Sequence, residues 1–184
     1  MTISEFLTAV RTPYIDTLSR VATQHLSHVE PAFRQSDGSL AVEGALGLPC
    51  RADVMPMEGS TAGQAIQVDS ETRLEFEVVT FASGAGEVVL SPFVWDWAPL
   101  EVLGLSQEAV SNVCQAWFLK WFDADDENVA TEEGLFGVVH FMSELEPTQE
   151  GWKVTVDLGS SPVSAVEDFL FRILDAGAPQ VRIG

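Results

Sequence analysis

The chain is 184 residues long and 46% apolar, and its 28 acidic against nine basic side chains give a formal net charge of −19. That apolar content excludes general disorder, and the length suits one domain that buries roughly two thirds of its unfolded surface. A surface of this sign repels nucleic-acid phosphates and anionic headgroups and steers basic partners towards it, so neither nucleic acid nor a membrane is expected as a partner.

Thr2 and Glu5 have capping-box spacing, each side chain placed to satisfy a backbone N–H that the first helical turn leaves open. Ile3, Leu7, Val10, Tyr14, Leu18, Val21 and Leu26 then recur every three or four residues, which predicts a helical segment over 2–29. Pro13 either kinks this helix or, with Thr12 as an N-cap, begins a second one. The first residues lack a basic stretch leading into an apolar core. Nowhere does an apolar run approach the ~18 residues of a membrane span, so a cytoplasmic protein is expected.

Residues 35–39 read as a turn, 40–48 as a weak strand holding Gly44 and Gly47, and 50–55 as a strand ended by Pro56. Alternation is clearest over 72–81, where Leu74, Phe76 and Val78 face one way and Arg73, Glu75 and Glu77 the other, the pattern of a half-buried strand. Ser83, Gly84, Ala85 and Gly86 turn this strand into another over 87–97, with Pro92 marking an edge or a bulge. Ser106 is placed to cap a helix over 107–122 whose stripe is Val110, Val113, Cys114, Trp117 and Trp121. The carboxylate-rich stretch 123–133 reads as a solvated loop. Strands are expected over 135–145 and 151–159, then a helix capped by Ser161 with Pro162 at its first position and Gly177 at its end, then a strand over 180–183. These elements give one α+β domain over 1–184, a two-layer arrangement with a mostly antiparallel sheet and helices on one face. From Glu87 onward their order is that of a ferredoxin-like βαββαβ unit.

Four constellations invite chemistry. Trp95, Trp97, Trp117 and Trp121 fall on the 87–97 strand and the 107–122 helix; such stripes are ordinarily core, and the alternative is an apolar pocket between the two elements with His140 at its rim. Asp123, Asp125, Asp126 and Glu127 resemble a calcium loop only in composition, because the sixth position is Asn128 where glycine belongs and the twelfth is Gly134 where a bidentate glutamate belongs. They read as an exposed patch for a basic protein. His25 and His28, with Glu30 nearby, are too few for a metal site, so neither metal nor cofactor is expected. Ser160, Ser161, Cys114, His140 and Asp157 supply the pieces of a nucleophile and base without an elbow motif, and His140 reads as a core-edge histidine with one bonded nitrogen. Cys50 and Cys114 lack any framework spacing and read as buried thiols. No motif specifies a reaction. The expectation is therefore a non-enzymatic acidic module, like an antitoxin, immunity protein or adaptor, that docks a basic protein; the alternative is a small-molecule binder or enzyme using the aromatic pocket.

Overall fold

In the computed structural model, which describes residues 1–24, 26–43, 46–84 and 86–184, the capping box forms as its spacing requires. Thr2 N donates to Glu5 Oε2 (2.6 Å) and Glu5 N to Thr2 Oγ1 (3.3 Å). Helix α1 (Ile3–Gln24) then runs unbroken through Pro13. Thr12 does not cap a second helix, because its hydroxyl donates back to the Thr8 carbonyl (2.8 Å). Leu7, Val10, Tyr14 and Leu18 are the buried stripe. His25, Gly44 and Ala85 lie outside the described residues.

Short strands follow: β1 (Ser27–Val29), β2 (Val42–Glu43), β3 (Leu48–Pro49) and β4 (Val54–Pro56), pairing as β1 with β4 and β2 with β3. The main sheet is built from β5 (Val79–Ser83), β6 (Gly86–Leu90), β7 (Ala98–Leu103), β8 (Phe141–Met142), β9 (Glu146–Pro147), β10 (Gly151–Asp157) and β11 (Gln180–Ile183). Helix α2 (Gln107–Phe122) connects β7 to β8, and α3 (Val163–Asp175) connects β10 to β11. The spatial order is β5-β6-β11-β7-β10-β8, with β9 also on β10, and every pairing is antiparallel except β11 with β6. From β7 onward the order is strand, helix, three strands, helix, strand, with β6 outside it, which is not the βαββαβ order expected from Glu87.

One face of the sheet is buried, as the period of two requires. Ala98, Leu100 and Val102 of β7, Val154 and Val156 of β10, and Val181 and Ile183 of β11 point into the core, while the intervening residues are only half-buried. Helix α2 packs on α3, which also touches α1 and β11. Trp117 meets Phe169 edge to face at 5.2 Å. Each large side chain so buried contributes about 1.5–3 kcal/mol. On the half-buried face Arg182 pairs with Glu101 (3.2 Å) and Glu150 (2.7 Å).

Several expectations are corrected. The 72–81 strand shrinks to its end: only Phe76 of its apolar face packs, against Phe6 at 5.2 Å, while Leu74 and Val78 stay exposed. The 87–97 strand stops at Leu90, and Pro92 leads into a tight turn closed by a bridge between Val94 and Trp97. The strand over 98–103 was not expected and is the sheet's central one. Residues 135–140 form no strand, Gly137 having a left-handed backbone, and Val139 N and His140 N donate to the carbonyls of Trp121 and Asp157 instead. Pro162, not Ser161, occupies the N-cap position of α3.

Candidate functional site

Glu30, Asp53, His140 and Asp157 are far apart in the chain and meet against α1. Glu30 follows β1 with φ +52°, a conformation unusual for a residue bearing a Cβ, which turns its side chain into the interior. Its Oε2 accepts from Phe136 N (2.7 Å) and Ser160 Oγ (2.8 Å), and its Oε1 accepts from Ser160 N (3.0 Å) and lies 2.6 Å from His140 Nε2. Asp53 lies just before β4; its Oδ1 accepts from Tyr14 OH (2.6 Å) and its Oδ2 from Val68 N (2.7 Å). Asp157 ends β10, and its Oδ1 accepts from Gly159 N (2.9 Å).

His140 sits among these carboxylates with no solvent exposure. Its backbone fixes it in place, since its N–H donates to the Asp157 carbonyl (3.0 Å) and its carbonyl accepts from Arg51 N (2.9 Å). Gly159 makes room for the ring: with φ +52°, a Cβ there would fall 2.3 Å from His140 Cδ2. Nδ1 lies 2.9 Å from Asp53 Oδ1 and 3.7 Å from Asp157 Oδ2, yet no acceptor among the described residues is aligned with it, so this buried nitrogen has no hydrogen-bond partner.

Burial pushes the His140 pKa down, but the close carboxylates of Asp157 and Asp53 and the bonded Glu30 overcome it and hold the imidazole well above its ordinary value. Burial likewise raises Glu30 and Asp53, but the His140 contact with bonds from Ser160 and Phe136 for the first, and the nearby charge of His140 with bonds from Tyr14 and Val68 for the second, leave both below the usual carboxylate range. Asp157 is held above that range, by burial first and by the charge of Asp53 as well.

The cluster opens outward through Asp157, whose side chain is 19% exposed. A cavity of about 330 Å³ lies over it, lined by Asp53 and Asp157 below and by Cys50, Ile66, Trp97 and Phe141 above. Trp97 and Phe141 stack there, nearly parallel with centroids 6.0 Å apart, and Trp97 is 53% exposed.

The four tryptophans singled out by pattern therefore do not line one pocket. Trp95 and Trp117 are fully buried, their Nε1 atoms donating to the carbonyls of Gly159 (3.0 Å) and Ala165 (2.7 Å), and Trp121 donates to Asp168 (2.9 Å) on α3. Only Trp97 reaches a cavity near His140, which is a deep core residue and not an edge one. Cys50 is half-buried beside that cavity and Cys114 is in the core.

The acidic loop is also divided. Buried Arg51, stacked 4.6 Å over Phe122, donates to the Asp123 carbonyl (2.6 Å) and to Asp126 (2.7 Å), which Arg34 also holds (2.8 Å). The Asp123 carboxylate accepts from Glu127 N and Asn128 N; Asp125, Asp126 and Glu127 are exposed, Asp126 being the one of them held by the two arginines. Of the nucleophile candidates, Ser160 joins the cluster but bonds Glu30, and Ser161 Oγ is buried without a partner among the described residues.

Glu30 was visible in the sequence only as a neighbour of two histidines, and Asp53 gave no signal beyond a single carboxylate in the otherwise apolar stretch 52–55. Charged residues are buried only when paired, so an isolated acid inside an apolar run is a weak cue. Family models, curated proteins and solved structures give no match to this chain.

Proposed function

We propose that this protein binds a positively charged ligand in the cavity over Asp53 and Asp157. The observation that carries the reading is the composition of the cavity: two carboxylates at its floor and an exposed, stacked indole at its rim. Three carboxylates surround one imidazole, so the cluster stays net negative even with His140 protonated. A cation entering from solvent meets the opposite charge below and the face of an aromatic ring beside it, both favourable contacts. This keeps the small-molecule reading but moves it from the 87–97 and 107–122 elements to the Trp97 and Phe141 rim. Titration with tetramethylammonium, spermidine and divalent metal chlorides should quench or shift the Trp97 fluorescence with at least one of them, and the change should vanish in Trp97→Phe. If no cation changes either the emission or the melting temperature, the reading is wrong.

Docking of a basic protein is a second reading, favoured by the net charge of −19 and by exposed Asp125 and Glu127. Its mark is rate: association with a basic probe protein such as cytochrome c should slow steeply as salt rises, and Asp125→Asn with Glu127→Gln should flatten that dependence. A rate indifferent to both would rule it out.

A further inference from the structure

Two carboxylate oxygens and an imidazole nitrogen converge here without a hydrogen bond among them. Nδ1 of His140 is fully buried, lacks an aligned acceptor among the described residues, and faces Asp53 Oδ1 at 2.9 Å and Asp157 Oδ2 at 3.7 Å. Ligand atoms of the three residues lie within 4.8 Å of one another. Electron-rich atoms brought this close need a positive charge between them. A proton on Nδ1 would supply charge, but its bond would point at neither oxygen.

We propose that Asp53 Oδ1, Asp157 Oδ2 and His140 Nδ1 hold a divalent first-row transition ion, which is the cation of the cavity described above; this rests on the cation-binding reading and names its occupant. Metal bonds of about 2.0–2.2 Å to nitrogen and oxygen place adjacent ligand atoms about 3–3.5 Å apart, and the two observed separations bracket that spacing. The surroundings are those of a metal histidine. The other ring nitrogen, Nε2, lies 2.6 Å from the Glu30 carboxylate, the outer-shell contact that fixes the tautomer and leaves Nδ1 free to ligate. Asp53 is oriented by Tyr14 OH and Val68 N, and Asp157 by Gly159 N. One nitrogen and two oxygens suit zinc, manganese or iron(II) better than magnesium, which prefers oxygen alone and keeps its waters. Three protein ligands leave open positions, and the cavity beside Asp157 and Trp97 is where they would face.

The test is calorimetry and native mass spectrometry on the full chain, stripped with chelator and titrated with ZnCl2 and MnCl2 in the presence of excess MgCl2. One ion per chain is expected for at least one of the two metals. Asp157→Asn, at a partly exposed position, and Asp53→Asn should each weaken it at least tenfold, and Glu30→Gln should weaken it about 10- to 100-fold through the outer shell. Circular dichroism identifies the variants that remain folded, and Asp157→Asn is the one least exposed to folding failure. The pair Asp125→Asn and Glu127→Gln should leave affinity unchanged. No stoichiometric binding, or binding insensitive to Asp157→Asn but lost with the loop pair, would overturn the site as adventitious association with an acidic surface. If organic ammonium ions still quench Trp97 while neither metal binds, the metal proposal falls and the cation pocket stands; if nothing binds, both fall.

Discussion

Truncating His140 would leave two carboxylates facing a cavity and a third, Glu30, buried without its counter-charge. Breaking a buried pair in this way typically costs about 3–5 kcal/mol, because the remaining ion is left uncompensated. His140→Ala should therefore lower the urea midpoint by that equivalent, and an unchanged midpoint would show that the cluster does not support the fold. The pH dependence of the metal-free protein follows from the same groups. Glu30 and Asp53, held below their ordinary values of 4.5 and 3.8, stabilise the fold above those values and lose that contribution as pH falls through their lower folded pKa values. His140, raised above its ordinary 6.5, stabilises fully below that value and stops doing so as pH rises through its folded pKa. Asp157 is raised above 3.8, so it binds its proton more tightly in the folded state and its contribution also declines as pH rises. Stability should peak between the carboxylate and imidazole transitions and fall on both sides; urea midpoints across pH 3–10 check this, and a monotonic profile would contradict it.

Among the elements, helices were far more legible than strands. The capping box of α1, the Ser106 cap of α2, whose Oγ accepts from Ala109 N at 3.2 Å, and the stripe of α3 are local features, so a single chain suffices to read them. Ser106→Ala should cost about 1 kcal/mol in thermal or urea unfolding, an ordinary N-cap loss, and no loss would mean that the cap is redundant. Strand faces depend on a partner. The best alternation in the chain, at 72–81, runs mostly alongside nothing that covers Leu74 or Val78, whereas β7 is central because β10 and β11 flank it. The sequence around His140 reads as a strand for the same reason: Val138, His140 and Met142 alternate, but Gly137 and the contacts with Arg51 and Asp157 replace the ladder.

At the scale of the whole molecule, a net charge of −19 opposes compaction through self-repulsion. Raising NaCl from 10 to about 150 mM shortens the Debye length from about 30 to 8 Å and should raise Tm. A Tm that falls with salt would mean that attractive ion pairs, such as those of Arg182 and Arg51, outweigh the repulsion. The α+β class and the absence, among the described residues, of a helix long and apolar enough to cross a membrane agree with the reading of the sequence.

Composition and periodicity by themselves determined the class of fold, the helical segments at 2–29, 107–122 and after Pro162, and a hairpin turning at 83–86, because capping and amphipathic rhythm act between neighbours in the chain; whether the first segment breaks at Pro13, and where the hairpin strands begin and end, they left open. Only the tertiary structure decided that Glu30, Asp53, His140 and Asp157 share one site and that Trp97 alone of its group guards a cavity. Such a site is made by closing long loops onto a common point, and sequence spacing carries no record of which distant carboxylates a given imidazole will meet.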